Sequence, residues 1–307
     1  MPGDLAPSAP DLIRILPEIV LTVMGTLLMV LDPVLHKRSS NAFGHLSIAA
    51  LVAALGAAVY AYTQEGPAFG GMIVVDGFAT FFRALVIVVG ILTILSSYRF
   101  LRRQNAATSE YHALLLFSIA GQCMMAASGN LIVIFIALEI SSIASYVLTG
   151  YLRDDKRANE AALKYFLLGS FATAFFLYGV ALIYGATGTI DLMAVRAAVT
   201  GQSGPATAPL FLGLAAALLF VGLGFKVSAA PFQIWAPDVY QGAPTPVTAF
   251  LSTGPKAAAF AVFLRIFMTA FEPERMGKAG VAFRAGLDDH WQLRGAAAIE
   301  RQAHAGV

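Results

Sequence analysis

FKVSAAPFQIWAPDVYQGAPTPVTAFLSTGPK, running from Phe225 to Lys256, places two lysines, one aspartate and five prolines inside an otherwise strongly apolar chain. The surroundings decide how the stretch is read. The 307 residues are 58% hydrophobic and only 12% charged, with a mean hydropathy of +0.73. That balance lies far outside the soluble globular range and points to an integral membrane protein. Lys226 and Lys256 therefore sit in or beside segments destined for lipid, and the prolines interrupt one of those segments.

Working outward, the chain divides into about eight apolar windows of the ~20 residues that cross a ~30 Å hydrocarbon core as helix. They run roughly over 15–32, 43–62, 78–98, 112–128, 131–150, 161–185, 209–231 and 246–271. The expected fold class is an all-α polytopic helical bundle. The first window is expected to stay in the mature protein: its flank (Asp4, Pro7, Pro10, Asp11) lacks a basic region and no small-residue cleavage site follows. Basic residues gather in alternate loops, Lys37 and Arg38, then Arg99, Arg102 and Arg103, then Arg153, Lys156 and Arg157. Such loops face the cytoplasm, so the N-terminus is expected on the outer face.

Familiar redox and hydrolytic chemistry has no signature here. Cys123 is the single cysteine, the five histidines are scattered, and there is no glycine-rich nucleotide turn, P-loop or HExxH pair. The chain is expected to hold no metal and no cofactor of its own.

What remains is a set of ionisable residues inside apolar windows, each costing on the order of 2.5–3.5 kcal/mol at the bilayer centre. Glu139 lies mid-window, with Ser142 one turn on and on nearly the same face. Lys256 lies about ten residues into the eighth window, Lys226 follows the small-residue run GLGF, and Lys164 opens the sixth window. Lys164 is close enough to a helix end to be a snorkelling anchor, and Arg83 and Arg265 read as anchors or packing ion partners. Glu139 and Lys256 reach the headgroups less easily, and a purely structural pairing is their competing reading.

Lys226 has a further feature. Pro231 follows five residues later, then Pro237, Pro244 and Pro246, so the seventh helix is expected to break there. Backbone groups freed at membrane depth need protein or water partners, and discontinuous helices recur in ion-translocating proteins. A carboxylate approaching or leaving a desolvated lysine changes its proton affinity. Glu139 and Lys226 are thus expected to form a protonation switch, with Lys256 as the next relay site.

At this point FKVSAAPFQIWAPDVYQGAPTPVTAFLSTGPKAAAFAVFLRIF (225–267) closely resembles the signature of subunit N of bacterial proton-pumping NADH:quinone oxidoreductase, respiratory complex I. LPEI (16–19), DGFATFFR (76–83), LIVIFIALEISSIASYVLTGY (131–151) and EAALKYFLLGSFATAFFLYG (160–179) extend the resemblance over roughly residues 12–271. PDVYQGAPTPVTAFLSTGPKAA looks like subunit N rather than its relatives L and M. The resemblance implies an antiporter-like fold with about fourteen spans in two inverted five-helix repeats, each with a broken helix and a buried lysine. It places the family's proton-path residues on Glu139, Lys164, Lys226 and Lys256. It also implies other membrane subunits as partners, with NADH, FMN, iron–sulfur clusters and quinone handled elsewhere in the complex; the lipid bilayer is the remaining partner and nucleic acid is not expected.

Two departures stand out. Many relatives carry a histidine where this chain has Gln233, which hydrogen-bonds but takes up no proton near neutral pH; water or Tyr240 then becomes the substitute relay. The resemblance also stops after about Phe271, and 272–307 is a polar tail without an apolar span, expected to be disordered or aberrant. The expected organisation is three N-terminal spans (1–110), one antiporter-like five-helix repeat (111–271) and that tail, a truncated form holding the first repeat only. Two competing functions stay open, an Mrp-like cation/proton antiporter subunit and an inactive membrane protein whose buried charges serve packing alone.

Overall fold

A computed structural model of the chain describes residues 7–35, 41–104, 106, 109–201 and 209–271. The tail 272–307 and the basic pair Lys37 and Arg38 lie outside the described residues. The helices are α1 (Ala9–Arg14), α2 (Leu16–Leu35), α3 (Asn41–Tyr62), α4 (Gly77–Gln104), α5 (Ser109–Ala127), α6 (Leu131–Thr149), α7 (Lys156–Thr187), α8 (Leu192–Val199), α9 (Pro209–Val227), α10 (Trp235–Gly242) and α11 (Thr245–Arg265). All eight apolar windows are helical. Among the described residues, six segments are long and apolar enough to cross a membrane by length and composition: Asn41–Tyr62, Gly77–Gln104, Leu131–Thr149, Lys156–Thr187, Phe211–Gly242 and Thr245–Ala270. The other two windows, α2 and α5, pack on one another inside the same bundle.

Local chemistry sets where the helices start and stop. Asn130 accepts from the Ile132 amide at 3.0 Å and opens α6, while Asp155 accepts from Arg157 at 2.9 Å and opens α7, each satisfying an amide the helix leaves orphaned. Gly188, with φ of 71°, ends α7 in the left-handed conformation that glycine adopts without strain. Close crossings use small residues, as membrane helices without a hydrophobic drive toward one another require. Gly121 on α5 lies directly against the α6 backbone at Ala137 and Ser141, and Gly222 on α9 lies against Ala172 and Phe176 of α7.

Helices α1, α8 and α10 and a hairpin fall outside the expected windows. β1 (Gly66–Ala68) and β2 (Ile73–Val75) form a small antiparallel hairpin, with Ala68 opposite Ile73. Gly70 and Gly71 take φ of 66° and 92° in the connection, and a β-branched run follows. Bridges Ile73 to Ser128 and Asn130 to Asp191 tie the hairpin end to the α5–α6 and α7–α8 turns. At the opposite end the charged α6–α7 connection meets the start of α5 through Arg153 and Glu110.

Candidate functional site

The proline-rich stretch breaks the seventh span. Helix α9 ends at Val227, Ser228 turns with φ of 58°, and a 3-10 turn (Phe232–Ile234) leads into α10. The expected window ran to 231, so the break comes earlier. Pro231 precedes the 3-10 turn and Pro237 lies in the first turn of α10, where neither costs an interior helical hydrogen bond. Protein donors close the gap. The Phe225 carbonyl accepts from Ser228 N at 3.1 Å and from Trp235 Nε1 at 2.9 Å, the Gly224 carbonyl from Ala229 N at 2.8 Å, and the Ala229 carbonyl from Phe232 N at 2.7 Å.

Lys226 stands in the last turn of α9, directly before this gap. It is 7% exposed, and its Nζ lies 5.3 Å from the Tyr146 ring centre and 5.5 Å from that of Tyr165. Glu139, two turns before Tyr146 on α6, is the carboxylate whose field reaches Lys226. The two form no ion pair. Glu139 is half-buried, and its Oε1 is buried with no hydrogen-bond partner. The structure thus brings the expected pair into one electrostatic neighbourhood without contact.

Lys256 is also half-buried, immediately after Pro255 inside α11, and its Nζ lies 5.3 Å from the Tyr240 ring centre. Gln233 points a buried Oε1 without a hydrogen-bond partner from the 3-10 turn. Lys164 stands apart from these groups. Its ammonium pairs at 2.7 Å with Glu160 and at 2.7 Å with Asp238 of α10, beside a partly open cavity of about 270 Å³ lined also by Arg157, Gln241 and Gly242. Its side chain is 43% exposed, so these pairs are solvent-screened and contribute little to stability. They do link α7 to the arm beyond the break.

Several residues beside the expected site were not singled out from sequence: Tyr146, Tyr165, Trp235, Asp238 and Glu160. Tyr146 was the most accessible of these, since seven residues from Glu139 is two helical turns and nearly the same face.

The other buried charges are ion partners rather than anchors. Arg83 has no exposed surface, and its Nη2 lies 2.7 Å from Glu18 Oε1. The same guanidinium donates from Nε to Glu18 at 2.9 Å and from Nη2 to the Arg14 carbonyl at 3.1 Å. Arg265 donates to both oxygens of Asp76, at 3.1 and 3.0 Å. Among the described residues no group of three or more His, Cys, Asp and Glu side chains is placed to hold a metal ion.

Residues 128–278 match the family model described as NADH:quinone oxidoreductase/Mrp antiporter, transmembrane. NADH-quinone oxidoreductase subunit N 1 of Solibacter usitatus is 76% identical over 273 residues, covering 89% of this chain and 56% of that protein. A chain of respiratory complex I from Thermus thermophilus with bound aureothin superposes with a TM-score of 0.68 at 36% identity, covering 81% of this chain and 52% of that one. A chain of the membrane-bound sulfane sulfur reductase, an archaeal respiratory membrane complex, gives a TM-score of 0.73 at 26% identity over 90% of this chain and 57% of that one. The chain spans about half the length of the relatives it matches.

Proposed function

From the premise that the chain belongs to the NADH-quinone oxidoreductase subunit N family, we propose that it is a proton-translocating membrane subunit of such an enzyme. Electron transfer from NADH to quinone in other subunits drives proton movement through Glu139, Lys226 and Lys256, with Lys164 at the entrance beside its cavity. NADH, FMN, iron–sulfur clusters and quinone belong to those other subunits. The partners are the neighbouring membrane subunits and the lipid bilayer, and nucleic acid is not among them. The chain is multi-pass in the bacterial inner membrane, with the N-terminus periplasmic because Arg99, Arg102 and Arg103 at the end of α4 and Arg153, Lys156 and Arg157 around the α6–α7 connection gather at alternate span ends. Residues 1–110 form the leading spans and 111–271 the antiporter-like repeat.

The observation that carries this reading is Lys226: a buried amine at the end of an interrupted membrane helix, within a carboxylate's field and free of any ion pair among the described residues. An amine locked to a carboxylate serves packing, whereas one beside an unpaired acceptor is poised to exchange its proton. Gln233 holds no proton in this route and acts as a hydrogen-bonding group.

The test uses membrane vesicles with the chain assembled in its complex, comparing the parent with Lys226→Met and Glu139→Gln. NADH oxidation and vesicle acidification are followed together. Loss of a positioned proton carrier predicts coupled acidification falling about tenfold or more in an assembled complex. Unchanged acidification in assembled Lys226→Met refutes the reading. An Mrp-like antiporter subunit is the second reading, favoured by the description the matching family model shares with Mrp antiporters; it predicts proton movement driven by a sodium gradient without NADH.

A further inference from the structure

We propose that the ring faces of Tyr146, Tyr165 and Tyr240 are ammonium-binding sites, joined through Trp235 into one aromatic wall that holds the charge of Lys226 at one end and of Lys256 at the other. The inference rests on the proton-translocation reading and adds residues to it. Both lysines lie over tyrosine rings. Lys226 Nζ lies over the rings of Tyr146 and Tyr165 at 5.3 and 5.5 Å from their centres, and Lys256 Nζ over Tyr240 at 5.3 Å. These distances lie within the range at which a ring's negative face attracts a cation, and the attraction strengthens when water is excluded.

The rings between the lysines are continuous. Tyr146 meets Tyr165 edge-on at 4.7 Å, Tyr165 stacks on Trp235 at 4.7 Å with 11° between planes, and Trp235 meets Tyr240 edge-on at 5.6 Å. The wall is fixed to the helix break, because Trp235 Nε1 donates to the Phe225 carbonyl at 2.9 Å. Tyr165 is 1% exposed, and the Tyr146 hydroxyl end is seated against the α carbon of Gly169, which leaves no room for a side chain there. The rings are therefore held in place rather than free to turn aside.

The arrangement answers a chemical need of a proton carrier in a dry site. A full ion pair holds the proton on the amine, and an apolar pocket without charge stabilisation drives it off. A ring face lies between these extremes. It keeps an ammonium tolerable at membrane depth and still lets it leave for a carboxylate. Plain core filling depends on volume, whereas an ammonium site depends on the π face, so Tyr→Phe and Tyr→Leu separate the two.

Solid-state NMR of the chain in liposomes, with isotope-labelled lysine, reads the sites directly. The ε-methylene signals are assigned by their loss in Lys226→Met and Lys256→Met. Both are expected upfield of random-coil positions through ring currents. Tyr146→Leu with Tyr165→Leu returns the Lys226 signal toward random coil and Tyr240→Leu does so for Lys256, whereas the Phe variants keep the displacement. In vesicles, the Leu variants are expected to lower coupled acidification roughly three- to thirtyfold and the Phe variants to retain it. Random-coil positions for every lysine ε-methylene signal of the parent chain overturn the ammonium sites whatever the vesicles do, and that outcome needs no assignment and so no variant to fold. Normal acidification in the Leu variants overturns their part in the path. Normal acidification in Lys226→Met overturns the translocation reading instead, so the two ideas fail separately.

Discussion

Glu18 and Arg83 offer the sharpest quantitative test of how the bundle is held. Arg83 is fully buried; its Nε donates to Glu18 Oε1 at 2.9 Å, and its Nη2 lies 2.7 Å from the same oxygen and donates to the Arg14 carbonyl at 3.1 Å. Glu18→Gln removes the compensating charge and leaves an unneutralised guanidinium in the core, with only neutral acceptors, the glutamine amide oxygen and the Arg14 carbonyl, as its partners. Breaking one side of a buried pair costs about 3–5 kcal/mol. That corresponds to an unfolding equilibrium shifted by roughly two to three and a half orders of magnitude. The double change Glu18→Leu with Arg83→Met removes both charges and refills the space, and it is expected within about 1 kcal/mol of the parent or above it. Reversible unfolding in mixed micelles, titrated with a denaturing detergent and read by helical circular dichroism, measures all three. Glu18→Gln costing under about 1 kcal/mol, or the double variant costing as much as Glu18→Gln, refutes the argument.

Two further outcomes follow from local geometry. Trp235→Phe keeps the ring stack but deletes the donor to the Phe225 carbonyl, which still accepts from Ser228; the expected cost is about 1 kcal/mol, seen as faster amide exchange at Ser228 and Ala229. Asp11 tests pH dependence outside the membrane segments: the Ser8 hydroxyl, donating at 2.6 Å, holds its carboxyl below the ordinary aspartate range, with Arg14 assisting. A depressed folded value means that the cap of α1 contributes above the ordinary aspartate pKa and loses that contribution as pH falls through the lowered one. An NMR titration of Asp11 checks this, and Ser8→Ala is expected to move the midpoint up.

The eight helical windows were legible because a span is announced by unbroken apolar length, a property of neighbouring residues. The break was legible for a similar reason: Pro231, Pro237, Pro244 and Pro246 follow Lys226 within twenty residues, and each removes a backbone donor that a continuous helix would use. Partners remote in sequence were not. Arg83 and Glu18 are 65 positions apart and Arg265 and Asp76 are 189 apart, and nothing in either neighbourhood names the other. Lys164 shows the same limit, since its place near a helix end was readable while its pairing with Asp238 across the break was not. The hairpin escaped because three-residue strands are too short for alternation to register. The aromatic wall escaped for the opposite reason: with 11% aromatic residues, rings are too common in this chain for any four to be chosen without their positions.

The closed geometry of the break bears on how the proposed proton carrier works. An interrupted membrane helix was expected to leave carbonyls for either water or protein to satisfy. Here protein donors engage the Gly224, Phe225 and Ala229 carbonyls, Phe225 twice, and Trp235 pins the far side of the gap to the near side. A backbone held at so many points has little freedom to flex each time a proton passes. The moving part in the proposed mechanism is accordingly the lysine side chain, whose flexible four-carbon stem lets its ammonium travel without the helix. The proposal gives it two resting places, the faces of Tyr146 and Tyr165 where the structure holds it and the unpartnered Oε1 of Glu139 toward which it would move. The absence of contact between Glu139 and Lys226 then has a mechanical meaning, because two groups already joined have no stroke left to make.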